Sequence, residues 1–160
     1  MRTDEVVMEV PDGCQLILGQ AHFIKSVEDI YEALATSMPG VHFGVAFCEA
    51  SGRALVRSDG SDGEMTKKAE EFALKLRAGH SFVVMLAGAF PINVLNRIKS
   101  VEEVTGIYCA TSNTVTAIVA DTGQGRGILG TVDGVTTKDL ETEADRKDRH
   151  EFLRKLGYKR

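Results

Sequence analysis

The stretch "DTGQGRGILGTVDG", residues 121–134, places glycines at 125, 127 and 130, the G-x-G-x-x-G spacing associated with nucleotide phosphates. A dinucleotide fingerprint needs a strand before those glycines and a helix opening on the last one. Upstream, "TVTAIVAD" reads as a strand, but downstream "ILGTVDGVTT" is β-branched and glycine-rich where helical periodicity should begin. Only 30 residues follow Gly130 in the 160-residue chain, too few for a second mononucleotide-binding half. A phosphate loop of the Walker type fails as well, because Thr131 and Val132 stand where Lys and Ser or Thr are required. The stretch therefore predicts a glycine-rich strand–turn–strand, whose bare amides can approach an anion.

Working outward, "SFVVMLAG" (81–88) is continuously apolar, as expected of a central strand covered on both faces. A helix is predicted before it: Ser61 and Glu64 fit a capping box, Met65, Ala69, Phe72 and Leu76 form the apolar stripe, and Gly79 is the stop. Another follows it, with Pro91 in the first turn of "PINVLNRIK". Nearer the N-terminus, "VVMEV" and "CQLIL" read as short strands around the turn "PDG". Ser26 then opens a helix, paired with Asp29 as a cap and carrying Val27, Ile30, Leu34 and Met38 on one face. "VHFGVAFC", "GIYCAT" and "GILGTV" add strands, and "ETEADRKDRHEFLRKLG" a final charged helix. An interior strand flanked by helices predicts one α/β domain over residues 1–160, a three-layer α/β/α sandwich around a mixed β-sheet.

Composition narrows the function. A formal charge of -4 gives no basic footprint, which argues against nucleic acid as partner. No apolar run approaches the roughly 18 residues of a membrane span, and the acidic opening "MRTDEVVMEV" is unlike a signal peptide; the expectation is a cytoplasmic protein without membrane contact. The three cysteines form no C-x-x-C pair and read as reduced thiols. The four histidines are scattered without carboxylate partners at ligand spacing, so no metal site is predicted.

The chemistry-bearing residues fall between the predicted elements. In "GQAHFIKS", Gln20, His22 and Lys25 lead into a helix start, which offers unpaired amides and partial positive charge to a phosphate; alternatively, His22 fixes a strand end. Glu49 follows a strand directly, where open α/β sheets place ligand groups, or is a solvated loop carboxylate. His80 occupies the turn into the central strand, where a half-buried structural histidine is the ordinary outcome. Asn93 and Asn96 lie in the first turns of a helix; they cap locally or meet the edge of a nucleobase. Around the glycine turn (Gly123, Gln124, Gly125, Gly127), Asp121 can hold magnesium or a ribose hydroxyl while Arg126 forks onto phosphate; alternatively the two pair across the hairpin.

Taken together, "LILGQAHFIKSVEDIYEAL", "FGVAFCEASG", "AGHSF", "AFPINVLN", "CATSN" and "DTGQGRGILG" resemble the adenosine-specific kinase family, from about Val7 to the C-terminus. The resemblance implies a three-layer α/β fold, homo-trimers or homo-hexamers, binding of adenosine or AMP, and a phosphorylated histidine. A kinase also requires a phosphoryl donor, ATP first among candidates, and admits Mg2+; neither is written in the sequence. Of the two candidate histidines, His22 is favoured over His80, because Lys25 and the amides before Ser26 lie near to neutralise a phosphoramidate. The 5′-hydroxyl of adenosine then accepts the phosphoryl group with Glu49 or Asp121 as base, and Arg126 with the turn amides steadies the oxygens. Direct transfer from ATP satisfies the sequence equally. Two rivals remain: a non-catalytic adenosine or AMP sensor, and an oligomeric structural module whose glycine turn packs at a subunit contact.

Overall fold

The computed structural model describes residues 1–160. In chain order its elements are β1 (Arg2–Met8), β2 (Cys14–Ala21), α1 (Ser26–Ser37), β3 (His42–Cys48), β4 (Val56–Gly60), α2 (Gly63–Leu76), β5 (Ser81–Ala87), α3 (Pro91–Lys99), β6 (Val104–Thr111), β7 (Val115–Asp121), β8 (Arg126–Asp133) and α4 (Glu143–Lys155). Five strands form one sheet in the order β4-β3-β5-β2-β6, and three form a second in the order β1-β7-β8.

The layered α/β class is as expected, but there are two sheets, and every ladder is antiparallel. The reason lies in how the helices cross over. β2 and β3 run the same way, as the connection through α1 demands, but β5 enters between them and runs opposite. β4 and β5 are likewise joined through α2 with β3 between them, and β5 and β6 through α3 with β2 between them. Each crossover skips one neighbour, so parallel strands never touch. The two opening strands around "PDG" belong to different sheets: Cys14 N–H donates to Pro11 O to close the turn, after which β1 pairs with β7 and β2 with β5 and β6.

Period-two alternation divides the core between the faces of the large sheet. Ile17, Phe43, Phe47, Phe82 and Val84 meet Ile30 and Leu34 of α1 and Val94 and Ile98 of α3. On the opposite face Leu16, Leu18, Ala46, Val83 and Met85 meet Ala69, Phe72 and Leu76 of α2, together with Met8, Val115, Ala117 and Val119 of the small sheet. β5 is the central strand, buried from Ser81 to Leu86, as its unbroken apolar run required. β4 has no comparable signal: it is a short edge strand, VRSDG, half-buried at Val56, Arg57 and Gly60 and exposed at Ser58 and Asp59, which sequence periodicity does not reveal.

Two predicted caps shift by one residue. Asp62, not Ser61, caps α2, its Oδ1 accepting from Glu64 N (2.9 Å) and Met65 N (3.0 Å). Ser61 instead donates to Val41 O (2.7 Å) and accepts from Phe43 N (3.0 Å), tying the helix entrance to β3. The Ser26–Asp29 pair is not formed; the Ser26 hydroxyl donates back to Phe23 O at 2.5 Å, and Lys25 occupies the cap position. α2 ends two residues before Gly79, on left-handed Arg77.

The tightest contact between layers is at Gly44, where a Cβ would stand 2.2 Å from Thr66 N and 2.4 Å from the Met65 carbonyl carbon. Gly44→Ala must lift α2 off β3 and is expected to lower unfolding free energy by about 1–3 kcal/mol, the usual cost of overpacking. At Gly106, where an added Cβ meets nothing within 4 Å, alanine should stay within about 0.5 kcal/mol of wild type. Urea midpoints of the two variants check both expectations.

Candidate functional site

The antiparallel insertion of β5 brings the ends of β2 and β3 and the starts of β4, β5 and β6 to one edge of the large sheet, through the pairs Gln20–Ser81, Phe47–Phe82, Cys48–Val56 and Ala21–Val104. Backbone bonds close this edge: Ala21 N to His80 O (2.9 Å), His80 N to Cys48 O (2.8 Å) and His22 N to Glu103 O (3.1 Å). On its α2 side opens a cleft of about 890 Å³, within the roughly 300–1,000 Å³ of small-molecule sites. Its walls are Cys48–Ala50 after β3, Ala54–Val56 entering β4, the last turn of α2 with Arg77, Gly79, and the β7–β8 turn at Thr122 and Gln124–Gly127. Leu55 and Leu74, exposed by 51% and 60%, supply its apolar surface. A second pocket of about 370 Å³ adjoins it, sharing Arg77, Gln124, Gly125 and Arg126 and adding Arg2, Asp121 and Gly123, with no apolar residue in its lining.

The glycine stretch is the hairpin its sequence predicted. Asp121 and Arg126 face each other in the β7–β8 ladder, and the turn is held rigidly: Asp121 Oδ1 accepts from Gly123 N (3.1 Å), while Thr122 N (3.1 Å) and its hydroxyl (3.0 Å) both donate to Gly125 O. Gly123 has φ +82°, a conformation glycine adopts without strain. The amides of Gln124 and Gly125 donate to nothing within the chain. Asp121 and Arg126 do not pair with each other. Both turn to β1, Asp121 to Arg2 at 3.9 Å and Arg126 to Asp4 Oδ2 at 3.6 Å, leaving the buried Arg126 Nε without a partner.

The chain has three non-glycine residues with positive φ, Ala54 (50°), Arg77 (48°) and His80 (62°), and all three belong to this edge. Each such residue costs about 1–2 kcal/mol, and strain of this kind gathers where a side chain must be aimed. The His80 ring stacks on Phe47 with centroids 5.9 Å apart, on the α1 side of the sheet and away from the cleft. Glu49 straddles the edge: it lines the cleft, and its Oε2 lies 3.9 Å from Arg57. Arg57 in turn reaches Glu28 (2.6 Å) and the Ile24 carbonyl, binding the start of α1 to the cleft wall.

On the α1 side a separate cluster forms. His22 is exposed, with Nδ1 3.2 Å from Glu103 O, which leaves Nε2 facing solvent. The Lys25 ammonium ion-pairs with Asp29 and lies 2.9 Å from Oε1 of Glu103, whose side chain is only 4% exposed and makes no well-directed hydrogen bond. Asp29 first and Glu103 second raise the pKa of Lys25, and Lys25 in return holds the Asp29 carboxyl below its usual range. Lys25 is thus committed to two carboxylates.

The structure therefore gathers Glu49, Gln124, Gly125, Arg126 and Gly127 at the cleft, with Asp121 and Gly123 at its polar neighbour. His22, Lys25 and His80 share the sheet edge but sit on its other face. Gln20 points to the α2 side and is bonded by the Tyr108 hydroxyl at 3.3 Å, outside the lining. Within the chain Asn93 and Asn96 stand apart from the cleft, and Asn93 caps locally, one of the two roles its sequence position allowed. They follow the far end of β5, roughly 20 Å away along seven residues, where Asn93 Oδ1 accepts from Phe90 N (2.9 Å) and Asn96 is exposed. Arg2, Arg57, Arg77 and Glu103 were not anticipated. Nothing in their spacing marks them, because strand pairing and a left-handed helix end bring them in.

Residues 6–159 match the family described as adenosine specific kinase. The solved structure of PH1918 protein from Pyrococcus horikoshii OT3 is 41% identical, covers 99% of this chain and 98% of its own, and superposes with a TM-score of 0.94. No curated protein matches the chain.

If Lys25 is there to neutralise Glu103, Lys25→Met leaves a buried carboxylate uncompensated and lowers the urea midpoint. Adding Glu103→Gln should restore most of that loss, an outcome a purely catalytic lysine would not produce.

Proposed function

The chain belongs to the adenosine-specific kinase family, and we propose on that premise that the cleft binds adenosine and phosphorylates its 5′-hydroxyl. One observation carries this reading: apolar walls, a carboxylate and a set of unsatisfied anion donors line the same cleft. The purine lies between Leu55 and Leu74, and the Gln124 amide, a donor and an acceptor together, meets the edge of the base. Glu49 accepts the hydroxyl proton as the 5′-oxygen attacks the terminal phosphorus of ATP; the bond from that phosphorus to the bridging oxygen breaks and ADP leaves. Arg126 and the amides of Gln124 and Gly125 neutralise the oxygens of the transferring group. No three His, Cys, Asp or Glu side chains converge to cage a metal, and Asp4 and Asp121 are already engaged by arginine. A Mg2+ ion is therefore assigned to the donor's phosphates rather than to a protein-built site.

Transfer in this reading is direct. A relay through His22 loses its main support because Lys25 is tied to Asp29 and Glu103, and the His80 ring rests on Phe47 behind the cleft. Intact-mass analysis of fresh protein bears on this: a stable phosphate adduct abolished by His22→Gln or His80→Gln would restore the relay.

Glu49→Gln should reduce turnover at least a hundredfold, the lower range of a lost general base, while adenosine affinity in calorimetry stays within about threefold. Retained turnover refutes the role of Glu49; binding with no turnover in the wild type identifies a sensor instead.

Self-association into trimers or hexamers is the second part of the proposal. α4 contains no buried residue, and Phe152, Leu156, Leu129 and Val132 are exposed by 58%, 41%, 63% and 55%, apolar surface of the kind a second copy covers. Sedimentation velocity should give a trimer or larger, and Phe152→Glu should shift it toward monomer.

A further inference from the structure

We propose that the polar pocket beside the cleft is the seat of an oligophosphate tail, that of the phosphoryl donor, gripped by Arg2 and Arg77; this deepens the nucleoside reading of the cleft and rests on it. The pocket is built from donors that lack acceptors. Arg77 makes no ion pair, and the amides of Gln124 and Gly125 are free. The two amides are also fixed in position, because the bonds of Asp121 and Thr122 lock the turn. Only two carboxylates, Asp4 and Asp121, answer the three arginines, and Arg2 and Arg126 share them at 3.0–3.9 Å. The unmet requirement is for anionic oxygens.

Size and position decide which anion. The space, about 370 Å³ and open to solvent, is larger than a single phosphate fills. Planar guanidinium forks, moreover, suit successive phosphates in a chain. Arg77, Gln124, Gly125 and Arg126 line both pockets, so the terminal phosphate of a chain seated on Arg2 comes up against a nucleoside in the cleft. That is the arrangement in-line transfer requires. Arg2 lines only the polar pocket and is 71% exposed at the start of β1, paired to Asp4 and Asp121 of the same rim, which separates its role from the nucleoside.

Calorimetry with three probes, inorganic tripolyphosphate, AMP and adenosine, tests this on wild type, Arg2→Gln and Arg77→Gln. Tripolyphosphate should bind the wild type, weaken at least tenfold in each variant, and show a steep loss with added salt. Adenosine affinity in Arg2→Gln should change by less than twofold. Tripolyphosphate that does not bind, or binds both variants as it binds the wild type, overturns the proposal. So does an Arg2→Gln variant that weakens AMP as much as tripolyphosphate, since the pocket then belongs to the acceptor's own phosphate. Tripolyphosphate binding without any adenosine binding sinks the nucleoside reading and, with it, the assignment to a donor, an outcome distinct from the other two. Unchanged melting temperatures of the variants confirm that they fold.

Discussion

The structure depends on one strand. β5 (Ser81–Ala87) is buried on both faces and pairs antiparallel with β2 on one side and β3 on the other, so it fixes the direction of its neighbours and the edge at which they end. Its side chains alternate between two hydrophobic clusters, Phe82, Val84 and Leu86 toward α1 and α3, Val83 and Met85 toward α2 and the small sheet. Because each helix crosses over the position of one strand, three chain segments start and two stop along the same edge. A cleft at that edge is a consequence of topology. The helices need only leave it uncovered.

What that edge contains is set by residues that resist ordinary backbone geometry. Arg77 and His80 lie three residues apart with left-handed backbones, and Ala54 stands across the cleft in the same conformation. Glycine would occupy all three positions without strain, so retaining side chains there costs stability that the buried core must offset. Two of the three, Ala54 and Arg77, line the cleft, and Arg77 serves both pockets. The cluster of Lys25, Asp29 and Glu103 and the bridge from Arg57 to Glu28 and Glu49 act on the opposite side. They hold the entrance of α1 against the strand ends, and so support the cleft from behind.

Much of this was legible in the sequence, for identifiable reasons. The apolar run of β5, the alternating phenylalanines of β3 and the stripe Met65, Ala69, Phe72 and Leu76 of α2 are periodic signals set by burial, and burial dominates the energy of these elements. β4 was not legible, since an edge strand of mixed exposure carries no period. Splitting into two sheets was also hidden, because crossovers that skip a strand have the same local pattern as those that do not. For the site, sequence indicated Glu49 and the glycine hairpin, each of which directly follows a strand. It did not show that Asn93 and Asn96 stand apart from Glu49 within the chain, because following a strand does not reveal at which end of the sheet that strand stops. Nor does the sequence show that Lys25 meets the buried Glu103, which is distant along the chain.

The glycines of the hairpin return as a problem of volume more than of backbone freedom. Gly123 requires its left-handed conformation, with φ +82°, but Gly125 and Gly127 do not have positive φ, and a Cβ at either would meet nothing within 4 Å. Local geometry therefore does not demand glycine at 125 or 127. Both line the cleft, and Gly125 lines the polar pocket as well. A side chain at 125 would project into the shared rim, between the apolar walls and the arginines, and separate two spaces that the backbone otherwise leaves continuous. The absence of side chains there keeps the two pockets continuous, while the bare amides of Gln124 and Gly125 are left as free donors on their shared rim. A hairpin built for the turn alone would need one glycine; the further two are accounted for by the spaces on either side of it.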